Sequence, residues 1–130
     1  RSTGVEVKVM DLQATDRSEV MTEITNCGLM AFGSPTMNNQ MFPDMADVLC
    51  YVKGLRPKNK IGFAFGSFGW SGEGAKQIAA DLAAMGAEQP FELFSVKYMP
   101  TAEDMKKISG IGEELGRLLL ERVRQSKSAK

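Results

Sequence analysis

The chain's 130 residues suit one domain, and a 43% hydrophobic share with 13 glycines and 5 prolines is an ordinary globular mixture, which excludes disorder. Sixteen Lys and Arg balance sixteen Asp and Glu, which argues against a nucleic-acid partner; the one basic cluster (Arg122, Arg124, Lys127, Lys130) reads as a solubilising helix end. With no histidine, no apolar run of roughly 18 residues and no signal-peptide pattern, the chain lacks the commonest neutral-pH base and most metal chemistry, and it reads as a soluble, reduced, cytoplasmic protein with no membrane partner.

Val5, Val7 and Val9 alternate with Glu6 and Lys8, predicting a strand over Val5–Leu12. Asp16 caps a helix over Arg17 to Thr25, with Glu19 three residues past the cap and Val20, Met21 and Ile24 on one side. Leu29–Phe32 follows as a short buried strand ended by Gly33-Ser34-Pro35. Met41 to Val52 reads as a helix whose apolar face is Met45, Val48, Leu49 and Val52, closed by Gly54.

Ile61–Phe65 is a second buried strand, followed by a glycine-rich turn and a helix from Gly74 to Met85 with Gly86 past its end. Phe91–Tyr98 is a further strand, and Pro100 ends it. Thr101 caps a last helix that stumbles at Gly110 and Gly112 and recovers through Leu115, Leu118, Leu119 and Val123. Strand and helix alternate, and the inner strands are apolar on both faces. The predicted class is therefore an α/β three-layer sandwich with a parallel sheet of four strands and helices on both faces. Cys27 and Cys50 lie beside apolar runs and read as buried, reduced thiols rather than a disulfide or metal site.

Ligands of such sheets bind past the carboxyl ends of the strands, and two unusual loops stand there. The first is Gly33-Ser34-Pro35-Thr36-Met37-Asn38-Asn39. The hydroxyls of Ser34 and Thr36, the amides of Asn38 and Asn39 and free backbone N–H groups suit the polar edge of a heterocycle, and Pro35 stiffens the segment. The plain alternative is a strand-to-helix turn.

The second loop runs from Phe65 and Gly66 through Ser67, Phe68, Gly69, Trp70, Ser71 and Gly72 to Glu73 and Gly74. Its glycines admit close approach of a flat ligand, and Phe68 and Trp70 can stack on or wall a ring. The alternative is that Trp70 is core or a simple surface patch. No GxxxxGKS/T or GxGxxG phosphate loop follows a strand, and Glu73 puts a carboxylate where a phosphate needs a donor. No metal centre is expected, and no catalytic side chain stands out, since Ser34 and Ser67 have no base nearby in sequence.

These two loops resemble those of the C-terminal flavodoxin-like domain of the flavodiiron proteins (A-type flavoproteins), which reduce dioxygen or nitric oxide. The likeness spans almost the whole chain, from Gly4-Val5-Glu6-Val7 entering the second strand to Gly112-Glu113-Glu114-Leu115-Gly116 in the last helix. In that family, segments like Gly33–Asn39 and Phe65–Glu73 surround the isoalloxazine ring of FMN. The resemblance thus implies an FMN-binding, electron-transfer oxidoreductase domain and a redox partner such as a rubredoxin-like donor. Phe68 stands where a tyrosine is common, which removes a hydroxyl and keeps the aromatic wall.

The family domain opens with a first strand, a Ser/Thr-rich phosphate loop and a first helix, and residues 1–130 start at what resembles the end of that helix. Because flavodoxin-like sheets run 2-1-3-4-5, the strand without a counterpart is central. The expectation is a missing N-terminal segment; a homo-oligomer lending a strand, or a first strand sliding into the central place, are the other solutions. FMN binding is then expected to be weak or absent for want of the phosphate contacts. A cofactor-free structural or partner-binding remnant is the alternative function.

Overall fold

The computed structural model describes residues 2–128, so Lys130 of the basic cluster lies outside the described residues. Two units divide the chain: Met10 to Met99, and a second drawn from the residues up to Val9 and from Pro100 onward.

The first unit contains α1 (Arg17–Asn26), β1 (Leu29–Met37), β2 (Gln40–Met41), α2 (Pro43–Leu55), β3 (Ile61–Phe68), α3 (Glu73–Ala84) and β4 (Phe94–Lys97). The strand order is β2-β1-β3-β4. β1 runs parallel to β3 from Leu29 opposite Ile61 to Pro35 opposite Ser67, and β3 parallel to β4 from Phe65 opposite Phe94 to Phe68 opposite Lys97. The three inner strands are thus parallel neighbours, as their apolar runs predict. β2 is antiparallel to β1, so the sheet is mixed.

The fourth strand is not the predicted one. Residues 5–11 form no strand, and Val9 is 80% exposed. Alternation alone cannot make a strand, whose N–H and C=O groups need a neighbouring ladder, and among the described residues none pairs with this segment. Met10 and Leu12 instead lay their side chains against the core as irregular chain. β4 is also shorter than predicted, beginning at Phe94 rather than Phe91.

The helix ends follow local chemistry. Asp16 accepts from the Ser18 N–H at 3.2 Å and opens α1. α2 starts at Pro43 rather than Met41, because proline at the first helical position forfeits only an N–H that has no helical partner. It runs through Gly54 and stops when Arg56 turns left-handed (φ 48°). α3 stops before Gly86, whose φ of 80° suits glycine.

The core of this unit joins Val20 and Ile24 of α1, Leu49 and Val52 of α2, and Ile78 and Leu82 of α3 to Met30, Phe32 and Ala64 of the sheet. Leu49, Val52, Ile78 and Leu82 are wholly buried; each Leu, Ile or Val of this kind stabilises by about 1.5–3 kcal/mol. On the other face of β3, Ile61 and Phe63 are buried too, the two-sided burial of an inner parallel strand. Cys27 is half-buried, but Cys50 is exposed, so the expectation of two buried thiols holds for neither in full. Cys50 falls on the outer side of α2, between the inward positions Leu49 and Val52.

In the second unit, α4 (Ala102–Ser128) is one unbroken helix. Glycine costs about 1 kcal/mol against alanine in a helix, too little to interrupt strong flanking helix formers at Gly110 and Gly112. Its start is a reciprocal cap: Thr101 N–H donates to Asp104 at 2.9 Å, and Asp104 N–H donates to Thr101 Oγ at 3.1 Å. Among the described residues no helix is long and apolar enough to cross a membrane.

Candidate functional site

The segment predicted as a first loop is mostly strand. Gly33 to Met37 extends β1 along Phe65, Gly66 and Ser67 of β3, and the chain then reverses through Asn38 and Asn39 into β2. Both asparagines are left-handed (φ 52° and 61°), as a two-residue hairpin requires and as asparagine tolerates. The second segment behaves likewise: Ser67 and Phe68 belong to β3, and only Gly69, Trp70, Ser71 and Gly72 form the turn into α3.

Cross-bonds tie the two segments together at the carboxyl ends of adjacent strands. Ser71 Oγ donates to Asn39 Oδ1 at 2.9 Å, and the Gly74 N–H donates to Thr36 Oγ1 at 3.0 Å. No side chain of its own caps α3, so Thr36 satisfies one amide of its first turn from β1. Gln77 of α3 accepts the Met41 N–H at 2.9 Å and fixes the far side of the hairpin.

Ser34 is buried, and its hydroxyl donates to the Pro35 carbonyl at 2.7 Å while accepting the Phe42 N–H at 2.9 Å. It shapes the hairpin from within. Phe68 is half-buried with its ring against Gly72, whereas Met37 and Trp70 face solvent, Trp70 at 95% exposure. Phe68 and Trp70 are therefore not equivalent: one supports the turn, and the other stands free beside it.

Close backbone approach explains the glycines where it matters. A Cβ on Gly66 would overlap the Ser34 carbonyl oxygen, and one on Gly74 would lie 2.8 Å from Thr36 Oγ1. Beneath the turn, Ser95 of β4 carries the one buried side-chain polar atom without a hydrogen-bond partner among the described residues. Its Oγ lies 3.7 Å from where a Gly72 Cβ would stand. A buried hydroxyl of this kind calls for a water or a ligand atom.

Sequence reading overlooked Ser95, Gln77 and Tyr98. None belongs to a local pattern, and each reaches the site only through the pairing of β4 or the packing of α3. Among the described residues no cluster of three or more metal-ligating His, Cys, Asp or Glu exists. Glu73 is the only ionisable residue in the two segments and pairs with Lys76 at 3.5 Å. The arrangement is a rigid, mostly neutral ledge with amide, hydroxyl and aromatic groups, suited to a flat polar heterocycle rather than to acid–base chemistry.

The parallel β1-β3-β4 sheet with its helices is a flavodoxin-like α/β fold, and the chain belongs to the flavodoxin family, whose profile matches residues 1–110. Within that family it matches flavodiiron proteins over nearly its whole length. It is 44% identical over 119 residues to the rubredoxin-oxygen oxidoreductase of Megalodesulfovibrio gigas, covering 92% of this chain and 30% of that protein. The solved rubredoxin oxygen:oxidoreductase of Desulfovibrio gigas superposes with a TM-score of 0.91 at 43% identity, over 94% of this chain and 30% of that one. The flavodiiron protein of Giardia intestinalis superposes at 0.90 with 33% identity, over 95% and 31% of the two chains. The chain thus spans about a third of the length of these relatives.

Proposed function

We propose that residues 1–130 act as one flavodoxin-like domain that binds FMN and passes electrons within a flavodiiron-type flavoprotein. The supporting observation is the pair of cross-bonded segments, Ser34–Asn39 and Ser67–Gly72, at the carboxyl ends of adjacent parallel strands, where open α/β sheets take their ligands. When bound, the isoalloxazine supplies the redox chemistry. The chain's part is to hold and orient the ring. Thr36, Met37, Asn38 and Asn39 would line its polar edge, Ser67, Gly69, Ser71 and Gly72 would let it approach the backbone closely, and Trp70 would cover a face. Ser34, Pro35 and Phe68 keep those groups in place, and Ser95 Oγ offers an unused hydrogen bond beneath the turn.

Neither segment forms a phosphate cradle, so FMN and riboflavin should bind residues 1–130 with similar and modest affinity. The partner we infer is a rubredoxin-type electron donor, in keeping with the rubredoxin named for the Megalodesulfovibrio relative. Free Cys27 and Cys50 fit a reducing, cytoplasmic setting.

Titration with FMN and riboflavin, followed by flavin absorbance and fluorescence, tests the reading. Trp70→Ala should weaken both by about 1–3 kcal/mol and leave the unfolding midpoint unchanged, because the side chain buries almost nothing. Equal affinities would remove Trp70 from the site. A wild-type protein that takes up neither flavin would refute the function and leave a cofactor-free scaffold.

A further inference from the structure

Tyr98, the first residue after β4, has φ 61°, a left-handed conformation that bulky side chains rarely adopt. The sheet imposes it. The Tyr98 N–H donates to the Phe68 carbonyl at 2.7 Å, one step past the Phe68–Lys97 pair, and pins the residue to the start of the glycine turn. Its ring then lies across Gly69, where an added Cβ would stand 3.2 Å from Tyr98 Cε1.

Beyond that backbone hydrogen bond, little among the described residues compensates for this strain. The ring is 70% exposed, so its burial against Gly69 is slight, and its one ring partner among the described residues is the ammonium of Lys97 at 5.6 Å. Strained residues persist where their surroundings or a ligand over-determine them, and they cluster at binding sites. Two further features lie at this end of the sheet: exposed Trp70 follows Gly69 in the chain, and Ser95, with its orphaned Oγ, lies in β4 three residues before Tyr98.

We propose that the carboxyl end of β4 is a third wall of the flavin site and that Tyr98 is its ring-contacting aromatic. The inference rests on the flavin reading above and adds to it a strand that neither loop contains. Wild type, Tyr98→Phe and Tyr98→Asn separate a binding role from a structural one. Asparagine accepts the left-handed backbone, as Asn38 and Asn39 do here, so Tyr98→Asn should unfold at the same or a higher urea concentration.

Its affinity for riboflavin and FMN should nevertheless fall by about 5–100-fold, with less quenching of the bound flavin's fluorescence, while Tyr98→Phe stays within about threefold of wild type. Tyr98→Asn binding as tightly as wild type, or losing stability in step with affinity, would overturn the role of Tyr98 and leave the two-segment site standing. Wild type binding neither flavin would overturn both.

Discussion

Replacing Gly74 by alanine should loosen the tie between the two turns. Gly74 is buried in the first turn of α3, and its N–H donates to Thr36 Oγ1 at 3.0 Å. An added Cβ would lie 2.8 Å from that oxygen and 3.2 Å from the Pro35 carbonyl oxygen, so β1 and α3 must part by about half an ångström to reach ordinary contact. Overpacking of this sort costs about 1–3 kcal/mol, and the weakened hydrogen bond about 0.5–1.5 kcal/mol more. Alanine's helix propensity returns at most about 1 kcal/mol. The net expectation is a loss of about 1–3 kcal/mol, read as a lower urea midpoint with unchanged slope.

A Thr36→Ala background supplies the internal control. It removes both the nearest clashing atom and the hydrogen bond, so adding Gly74→Ala there should cost clearly less, with a coupling of about 1 kcal/mol or more. Flavin affinity should follow the same order, because the Thr36–Gly74 bond sets the spacing of the two segments. Gly74→Ala as stable as wild type, or strictly additive with Thr36→Ala, would refute this account of the tie.

The two thiols should differ toward a disulfide-exchange reagent. Cys50 is exposed, whereas burial pushes the half-buried Cys27 thiol up and its Sγ–H donates to the Ile24 carbonyl at 3.4 Å. Near pH 8, Cys50 should therefore react faster by about tenfold or more, as peptide mapping of the first labelled cysteine will show. Hydrogen bonds from Thr101, first its backbone N–H and then its hydroxyl, hold the Asp104 carboxyl below the usual carboxylate range. A depressed carboxyl favours the fold most when ionised. The stability gap between wild type and Asp104→Asn should thus be full above about pH 4 and close as pH falls through the folded Asp104 value, measured by unfolding at a series of pH values.

Much of the architecture is local and was legible in the residues. Asp16 marks the start of α1, Gly86 the stop of α3, and the apolar runs at Leu29 and Ile61 mark parallel neighbours, since capping and burial patterns depend on residues a few positions apart. The two segments at the ends of those strands were legible for the same reason, being polar and glycine-rich where an inner strand should stop. Residues 5–11 show the limit of such reading: their alternation is strand-like, yet among the described residues no neighbouring strand pairs with them, and the chain stays irregular.

Only the tertiary structure decided that Gly33 to Met37 continues as strand, that Ser34 turns inward, and that Asn39 meets Ser71 and Thr36 meets Gly74. It alone brought Ser95 of β4, and Tyr98 just past the end of that strand, beside the glycine turn. Periodicity and caps are written into adjacent residues, but the partner of a hydrogen bond thirty or more positions away is chosen by register and packing, which exist only once the strands have paired.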